Sequence, residues 1–298
     1  MNITTDTLRL LTQGFNAAFT RGFESLPSSH GLISMTIPST SDAENYGWMK
    51  DLPGMREWVG QRVYNNLELT DAYIRNKHWE HTIAVNRNDI EDDKLGLYGN
   101  RFSMQGEIVA RHPDDLVWGL LKDGFTVTGF DGQPFFDPDH NGWSRDKQEV
   151  SWSNLLGNAS TAPWFVMDLS RAWMKPLIFQ NRKSPEFVAR TRADDPSVFD
   201  NNTYLYGADA RYNAAFGFHQ LAVGVKDALT AANFDTARKM LAGQFRPDGS
   251  PLGVMATHLI CGPANETAAR QLLNAEFIEG STNIWKGAVQ LHVSPWLE

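Results

Sequence analysis

The sequence is poor in cysteine and has no excess of positive charge. Cys261 is the only cysteine among 298 residues, which excludes an internal disulfide framework and any metal site built from several cysteines. This usage fits a reducing cytoplasm. Lys and Arg total 27 against 35 Asp and Glu, which gives a formal net charge of −8. Such a chain has no overall cationic field to gather nucleic acid, so any contact with DNA would be local and weak.

Long apolar runs, a secretory leader and the common nucleotide and hydrolase motifs are also missing. No stretch approaches the ~18 apolar residues of a membrane span. The N-terminus carries Asp6 early and lacks a basic region followed by an apolar run. The sequence has no G-x-S-x-G, no G-x-x-x-x-G-K and no G-x-G-x-x-G. With 42% hydrophobic and 11% aromatic residues it can bury a core, so we expect a folded, soluble intracellular protein.

What is present is an unusual segment, residues 46–93, whose pattern is typical of an aromatic, charged β-ribbon that leads into a capped helix. Two sets of alternating side chains each share one face of a strand: Arg56, Trp58, Arg62 and Tyr64 in the first arm, and Tyr73, Arg75, Lys77, Trp79 and His81 in the second. Neither face is cleanly apolar, and an isolated two-stranded ribbon is marginally stable in water. The pattern therefore predicts contact with another protein chain. The alternative is an edge hairpin that folds back on its own domain.

Helix signals are clear in three places. Residues 4–26 have amphipathic spacing, with Thr5 or Asp6 placed to cap the helix. Asn88 with Glu91 forms a start resembling a capping box, and Pro113 is expected to end or kink that helix at residue 112. A second short helix is predicted over residues 113–122.

The rest of the chain favours strands and then an α/β unit. Strands are predicted at residues 126–130, 164–168, 176–180, 186–190, 204–206 and 214–225, with residues 181–185 as a hairpin turn between the third and fourth. In the last seventy residues we predict a helix over 230–241 capped by Thr230, a strand over 254–261, a helix over 263–273 begun by Pro263, and a final strand at 289–293.

One group of residues is typical of an enzyme. Asp131, Asp137, Asp139 and His140 are oxygen and imidazole donors close enough in sequence to share a metal ion. Asp-Gly and Asp-Pro-Asp-His are also ordinary turn sequences, and a metal site would need further ligands from elsewhere in the chain. We favour the turn interpretation.

A basic group consists of Arg182, Lys183, Arg190 and Arg192. These side chains can contact a phosphate backbone or an acidic patch on a neighbouring protein. The overall negative charge favours the protein neighbour.

Seven segments, in this order, together resemble one known family, the Mu-type phage major head subunit. They are YGWMKDLPGMREWVG, NDIEDD, HPDDLVWGLL, FDGQPFFDPDH, KPLIFQNRKSPEF, YGADARYNAAFGFHQLA and NIWKGAVQLHVSPWL. Each segment is weak alone, whereas their number and order span nearly the whole chain. The resemblance implies a major capsid protein with the α+β Hong Kong ninety-seven-type fold.

The resemblance also implies a division of the chain. Residues 1–45 would form an N-terminal arm, 46–87 an extended β-hairpin loop, 88–225 a peripheral domain with a spine helix at 88–112, and 226–298 an axial domain. In the archetype of this fold the axial helices precede most peripheral strands, whereas the helical stretch here comes last.

The implied function is self-assembly into hexamers and pentamers of an icosahedral phage head around double-stranded DNA, in the virion, after assembly in the host bacterial cytoplasm. The implied partners are further copies of the chain, a separate scaffolding protein, a portal, a decoration protein and weakly bound DNA, with no membrane. No catalytic, cofactor or metal site is expected, and the predicted intersubunit anchors are Arg56, Trp58, Arg62, Tyr64 and Trp79. The alternatives are a metal-dependent cytoplasmic hydrolase that uses residues 137–140 and a ring-forming phage adaptor.

Overall fold

The described residues form two larger β-sheets that share a long helix and a common core, together with three two-stranded ladders. The structure is a computed structural model that describes residues 4–46, 73–92, 98–192, 194–278 and 280–298. In these ranges the α-helices are α1 (Thr5–Phe23), α2 (Arg87–Glu91), α3 (Tyr98–Asp123), α4 (Pro196–Phe199), α5 (Ala231–Ala242) and α6 (Pro263–Asn274). The longer strands are β1 (Ser34–Pro38), β4 (Lys77–Asn86), β8 (Trp164–Met167), β9 (Leu177–Arg190), β10 (Thr203–Phe216), β11 (Ala222–Val225), β12 (His258–Cys261) and β15 (Gln290–Val293). The short strands are β2 (Ala43–Asn45), β3 (Tyr73–Arg75), β5 (His140–Trp143), β6 (Glu149–Trp152), β7 (Leu155–Leu156), β13 (Phe277–Ile278) and β14 (Ser281–Thr282).

The first sheet has the strand order β1-β9-β10-β4. Its central strands β9 and β10 are antiparallel and each 14 residues long. The predicted hairpin with a turn at 181–185 is therefore wrong, since β9 runs straight through these residues. The register shifts opposite this segment, between Asp209 and Tyr212. A bulge there accommodates Pro185, which has no N–H to give to the ladder.

The second arm of the predicted ribbon joins this sheet instead of leaving the subunit. β4 pairs with β10 from Lys77 to Asn86, and its side chains alternate, with Trp79, Ile83 and Val85 turned inward. This half therefore follows the alternative interpretation, an edge strand folded back on its own domain. The inward face of β4 becomes apolar only after residue 78, and the boundary of the extended loop at residue 87 stays a prediction. Residues 47–72 lie outside the described ranges.

The residues predicted to share one face of the second arm do not all do so, because the alternation changes at Asn76. Ile74 and Asn76 are buried while Tyr73 and Arg75 are exposed, so the inward parity reverses between β3 and β4. The Asn76 Nδ2 donates to Ser39 Oγ at 2.8 Å, and the Asn76 N donates to the Asp42 carbonyl at 3.0 Å. These bonds satisfy a buried amide that the simple alternation of a strand does not anticipate.

The long helix differs from the predicted spine helix of residues 88–112. The short α2 is capped by Asn86, whose side chain accepts from Asn88 N at 2.9 Å, and α3 then runs from Tyr98 to Asp123 without stopping at Pro113. A proline removes one helical hydrogen bond. Contacts on both sides compensate, since the ring of His112 bonds the Tyr212 hydroxyl at 2.9 Å and Asp114 is bonded by a loop.

The N-terminal helix α1 lies on α3 at unusually close range. Its cap is Thr4, whose side chain accepts from Thr7 N at 3.2 Å, one residue before the predicted position. A Cβ atom on Gly22 would overlap the Ser103 carbonyl, and one on Gly106 would overlap the carbonyl of Phe19. The two backbones therefore meet without intervening side chains.

The second sheet has the strand order β15-β12-β8-β11-β7. It takes β7 and β8 from before β9 and β10, and β11, β12 and β15 from after them, so the predicted boundary at 225/226 divides strands of one sheet. The helices α5 and α6 begin where predicted, with Thr230 as the cap of α5 and Pro263 in the first turn of α6. The predicted strand at 126–130 is wrong; this region is turns with a single bridge between Thr128 and Pro134.

One hydrophobic cluster joins the two sheets. It packs Phe165 and Met167 of the second sheet against Leu177, Phe179 and Tyr212 of the first, with Trp118 and Leu121 of α3 alongside. Burial of these side chains from both sheets makes them parts of one folded body. Among the described helices none combines the length and the apolar run needed to cross a bilayer.

We predict that Gly106→Ala destabilises the subunit by about 1–3 kcal/mol, because the added methyl forces α1 away from α3. Urea unfolding monitored by circular dichroism measures this. The matched control is Gly119→Ala in the same helix, where a Cβ has no neighbour within 4 Å. The control is expected to gain roughly 0.5–1 kcal/mol from helix propensity. Equal effects of the two substitutions would contradict the close crossing.

Candidate assembly surface and the Asp131 cluster

Of the predicted intersubunit anchors, the structure describes Trp79. Its indole is half-buried, its Nε1 donates to the Tyr212 carbonyl at 2.9 Å, and its ring lies 4.4 Å from that of His112. The polar atom of this side chain is thus used within the subunit, and its part in an intersubunit contact stays a prediction. Arg56, Trp58, Arg62 and Tyr64 lie outside the described residues.

The four candidate metal ligands do not form one site. Asp139 N donates to Asp137 Oδ1 at 3.1 Å, which is a turn bond, and Asp139 Oδ1 accepts from Gln133 Nε2 at 3.0 Å. The neighbouring charge and hydrogen bond of Asp137 raise the pKa of Asp139. His140 points away from both into the interior, where it meets Asp131.

The residues brought together are Asp131, His140 and His219, and sequence reasoning missed His219. The ring of His140 bonds Asp131 Oδ2 at 2.7 Å, and His219 Nδ1 lies 3.7 Å from the same oxygen. The two imidazoles are stacked with centroids 4.0 Å apart and planes 6° from parallel. Phe130 also stacks with His219, with ring centroids 5.3 Å apart. His219 stands 88 residues from Asp131 in no local motif, so only the fold reveals it.

This geometry suits a clamp and does not suit a shared metal ligand set. An imidazole nitrogen binds a metal with the lone pair in its ring plane. One ion cannot lie in the planes of two rings that are stacked nearly parallel. The cluster instead ties residues 129–140 to the 3₁₀ turn His219–Leu221. Asn154 strengthens this tie, since its Nδ2 donates to the Phe135 carbonyl at 2.8 Å.

Burial, hydrogen bonds and neighbouring charges set the pKa values of His219 and Asp131. Burial, followed by the positive charge of His140, lowers the pKa of His219 to about 3, against a weaker opposing effect of Asp131. Burial favours the neutral form of Asp131, but the hydrogen bond from His140 and the charges of both histidines outweigh it and lower the pKa of Asp131. At neutral pH the clamp is thus a carboxylate beside a neutral His219.

The basic group that could contact either a phosphate backbone or a neighbouring protein is largely paired with groups of its own chain. Lys183 lies 2.8 Å from Asp209 and 3.2 Å from Glu186. Arg192 lies 3.2 Å from Asp194. Arg182 donates to the Ser39 carbonyl at 3.2 Å. These local partners reduce the field available to a nucleic acid.

The described surface carries many exposed apolar side chains. More than half exposed are Leu10, Tyr73, Met104, Ile108, Trp173, Phe199, Met255, Phe277 and Ile284. They lie on α1, α3 and α4, on the two-stranded ladders β2-β3 and β13-β14, and on connecting segments. Aromatic and Met side chains are enriched where proteins contact one another, so the subunit surface suits repeated protein contacts on several sides.

We predict that the subunit loses stability as pH falls below about 6.5, with a slope of up to ~1.4 kcal/mol per pH unit from His219. The sign follows because the folded pKa of His219 is depressed to about 3, so the unfolded chain binds the proton first. His219→Phe should keep the stacking and lose this part of the slope in urea titrations between pH 7.5 and 4.5. Asp131 keeps a smaller dependence in the same direction. An unchanged slope in His219→Phe would refute the clamp.

Comparison with known proteins identifies the family. A family model described as the Mu-like prophage major head subunit gpT matches residues 8–297. The major capsid protein of Escherichia phage Mu is 39% identical over 306 aligned residues, covering 100% of both chains. The FluMu major head subunit of Haemophilus influenzae is 34% identical and covers 92% of this chain and 91% of its own length.

Solved structures agree with this result. The chain is similar to the subunit in the procapsid of bacteriophage JBD30, with a TM-score of 0.85, 34% identity and coverage of 99% of this chain and 100% of that one. The subunit of the JBD30 capsid gives a TM-score of 0.80 at 26% identity, with 92% of each chain covered. The α+β fold is thus that of phage major capsid proteins, the Hong Kong ninety-seven type that the sequence motifs implied. The chain belongs to the Mu-like prophage major head subunit family and is a structural major capsid protein of the phage head, not an enzyme.

Proposed function

We propose that copies of this subunit associate into hexamers and pentamers, which close into an icosahedral head around double-stranded DNA. The observation that supports this most is the close similarity to the JBD30 procapsid subunit over 99% of the chain. The exposed apolar side chains on α1, α3, α4 and the connecting segments support it further, because each copy in a closed shell has several neighbours. Contacts of modest strength become stable when they are repeated around closed rings.

The parts of the subunit receive the following proposed roles. Residues 1–45 form the arm, and residues 46–87 form the extended loop, with Arg56, Trp58, Arg62, Tyr64 and Trp79 as intersubunit anchors. The central strands β9 and β10 of the first sheet form the peripheral domain with α3, and the second sheet forms the axial domain with α5 and α6. This division assigns each strand to a domain by the sheet to which it belongs, and not by its position along the chain.

The proposed partners extend beyond the subunit itself. A separate scaffolding protein and a portal fit a head of this kind. A JBD30 capsid structure is decorated with minor capsid protein trimers, and we propose a comparable decoration protein for this head. Contact with packaged DNA is weak and non-specific, in keeping with the net charge of −8 and the ion-paired basic group.

Electron microscopy combined with sedimentation of the purified protein tests the assembly. Co-expression with the neighbouring phage genes is expected to give closed shells, or rings of six and five copies. A ring with another fixed number of copies and no shells would favour the adaptor alternative. A monodisperse monomer or dimer under every condition, including co-expression with a scaffold, would contradict the proposal.

In the same assay Trp58→Ala is expected to abolish shells, because the loop loses its largest apolar anchor. The variant should remain a folded subunit, with a far-ultraviolet circular dichroism spectrum and melting temperature like those of the parent. The matched control is Val188→Ala, which shortens a side chain that is 48% exposed on β9. Normal shells from Trp58→Ala would eliminate the extended-loop assignment.

A further inference from the structure

Two buried carboxylates each organise a surface segment of the subunit. Of the described residues, Asp114 and Asp168 are the acidic side chains that the fold buries, each about 2% exposed. Removal of a carboxylate from water costs several kcal/mol, which hydrogen bonds must offset. The two positions lie on different elements, one within α3 and the other directly after β8.

Asp168 fixes the connection from β8 to β9. Its Oδ1 accepts from the Ser170 N at 3.0 Å and from the Ser170 hydroxyl at 2.6 Å, and its Oδ2 accepts from Arg171 at 2.7 Å and from Met255 N at 3.2 Å. Arg171 continues to the Gly253 carbonyl at 2.8 Å. Burial alone would raise the pKa of Asp168, but these bonds lower it, so the carboxylate is charged at neutral pH.

This rigid connection presents an exposed tryptophan. Trp173 is 68% exposed, although Trp is a residue that proteins usually bury. Lys175 lies two residues on, and its Nζ donates to the Leu169 carbonyl at 2.8 Å across the base of the connection. The bonds of Asp168 and Lys175 restrain the backbone on both sides of Trp173, so less backbone freedom is lost when its side chain makes a contact. Trp173 therefore has the properties of a preformed interface anchor.

Asp114 fixes a second surface segment, directly after α1. Its Oδ1 accepts from the hydroxyl of Ser28 at 2.7 Å, from Ser29 N at 3.0 Å and from His30 N at 2.7 Å. The next residue, Asp115, accepts from the indole of Trp296 at 2.6 Å. The segment after α1 and the C-terminal 3₁₀ turn are thus both held against α3.

A depression of about 350 Å³ lies between the segment after α1 and the C-terminal 3₁₀ turn Pro295–Leu297. Leu26, Pro27, Pro295 and Trp296 supply apolar and aromatic walls, and the rest of the lining is Arg111, Asp114 and Asp115. An indole that enters such a depression meets apolar surface, and a guanidinium nearby favours its ring face. The depression therefore suits an aromatic side chain.

The anchor and the depression lie at opposite ends of the second sheet. In that sheet Met167 pairs with His258, and Trp164 pairs with Cys261. The connection bearing Trp173 leaves from the Met167 end. The turn bearing Trp296 follows β15, whose last residue pairs with Cys261 at the other end. A feature at one end and its complement at the other allow copies to associate head to tail, which generates rings.

We propose that Trp173 of one subunit inserts into the depression lined by Leu26, Pro27, Pro295 and Trp296 of a second copy, as a head-to-tail contact of the head. This rests on the proposed assembly function. A buried Trp covers about 150–250 Å². A stable pair of proteins needs roughly 800 Å² on each side. The contact therefore acts within a shell and does not hold an isolated dimer together.

Crosslinking tests the contact with cysteines that flank it and leave both parts intact. Shells carrying Ala172→Cys and Ser25→Cys in one chain are treated with a short thiol-to-thiol crosslinker. The native Cys261 is buried and does not interfere. A ladder of covalent multimers is expected from the double variant, and single bands from each single variant. No ladder from intact shells, or a dimer from Ala172→Cys alone, would overturn the contact.

Substitution of the anchor provides a second readout. Trp173→Ala is expected to lower the shell yield at least tenfold while the melting temperature of the unassembled subunit stays unchanged, and Trp173→Phe should restore most of the yield. Parental yield from Trp173→Ala would overturn the contact and leave the assembly function intact. Failure of the parent chain itself to form shells or rings would instead remove the proposed function, and the contact with it.

Discussion

The antiparallel pairing of β9 with β10 is the interaction on which the rest of the subunit depends. Each strand is 14 residues long, and together they form the centre of the first sheet. The chain enters β9 from β8 and leaves β10 toward β11, so it crosses between the two sheets twice at the same end of this pair. Side chains near that end, including Leu177 and Phe216, pack in one cluster with Phe165 of the second sheet. The pairing therefore sets the position of both sheets.

The helices complete this body and leave the surface free for other copies. α3 packs along β9 and β10, and α1 packs on α3 through the contact at Gly22 and Gly106. The subunit thus closes its own core. The exposed aromatic side chains, such as Trp173 and Phe199, add nothing to that core. The groups that close the core and the groups on the exposed surface are therefore different side chains. The buried carboxylates Asp114 and Asp168 hold two surface segments in shape, and we propose these segments as assembly contacts.

The sequence predicted the elements whose signals are local. The cap Thr230 and the first-turn Pro263 correctly marked the starts of α5 and α6, because these residues act on adjacent backbone groups. Predictions from local signals were wrong where contacts with distant parts of the chain determine the structure. Pro113 did not end α3, and Pro185 did not turn the chain, because a bonded loop and a β-bulge accommodate them. His219 and Trp173 belong to no motif, so their roles depend on topology. The family was evident from the order of seven segments along the chain, whereas no single segment was sufficient to indicate it.

The central claim is that the subunit folds before it assembles and then uses surface segments for assembly. Hydrogen–deuterium exchange, measured on the free subunit and on assembled shells, tests this most directly. The account predicts that β9 and β10 are strongly protected in the free subunit and unchanged in shells. New protection should appear in surface segments, among them residues 24–29 and 169–176. Amide groups of β9 and β10 that exchange freely until shells form would contradict it, because the subunit would then fold only on assembly.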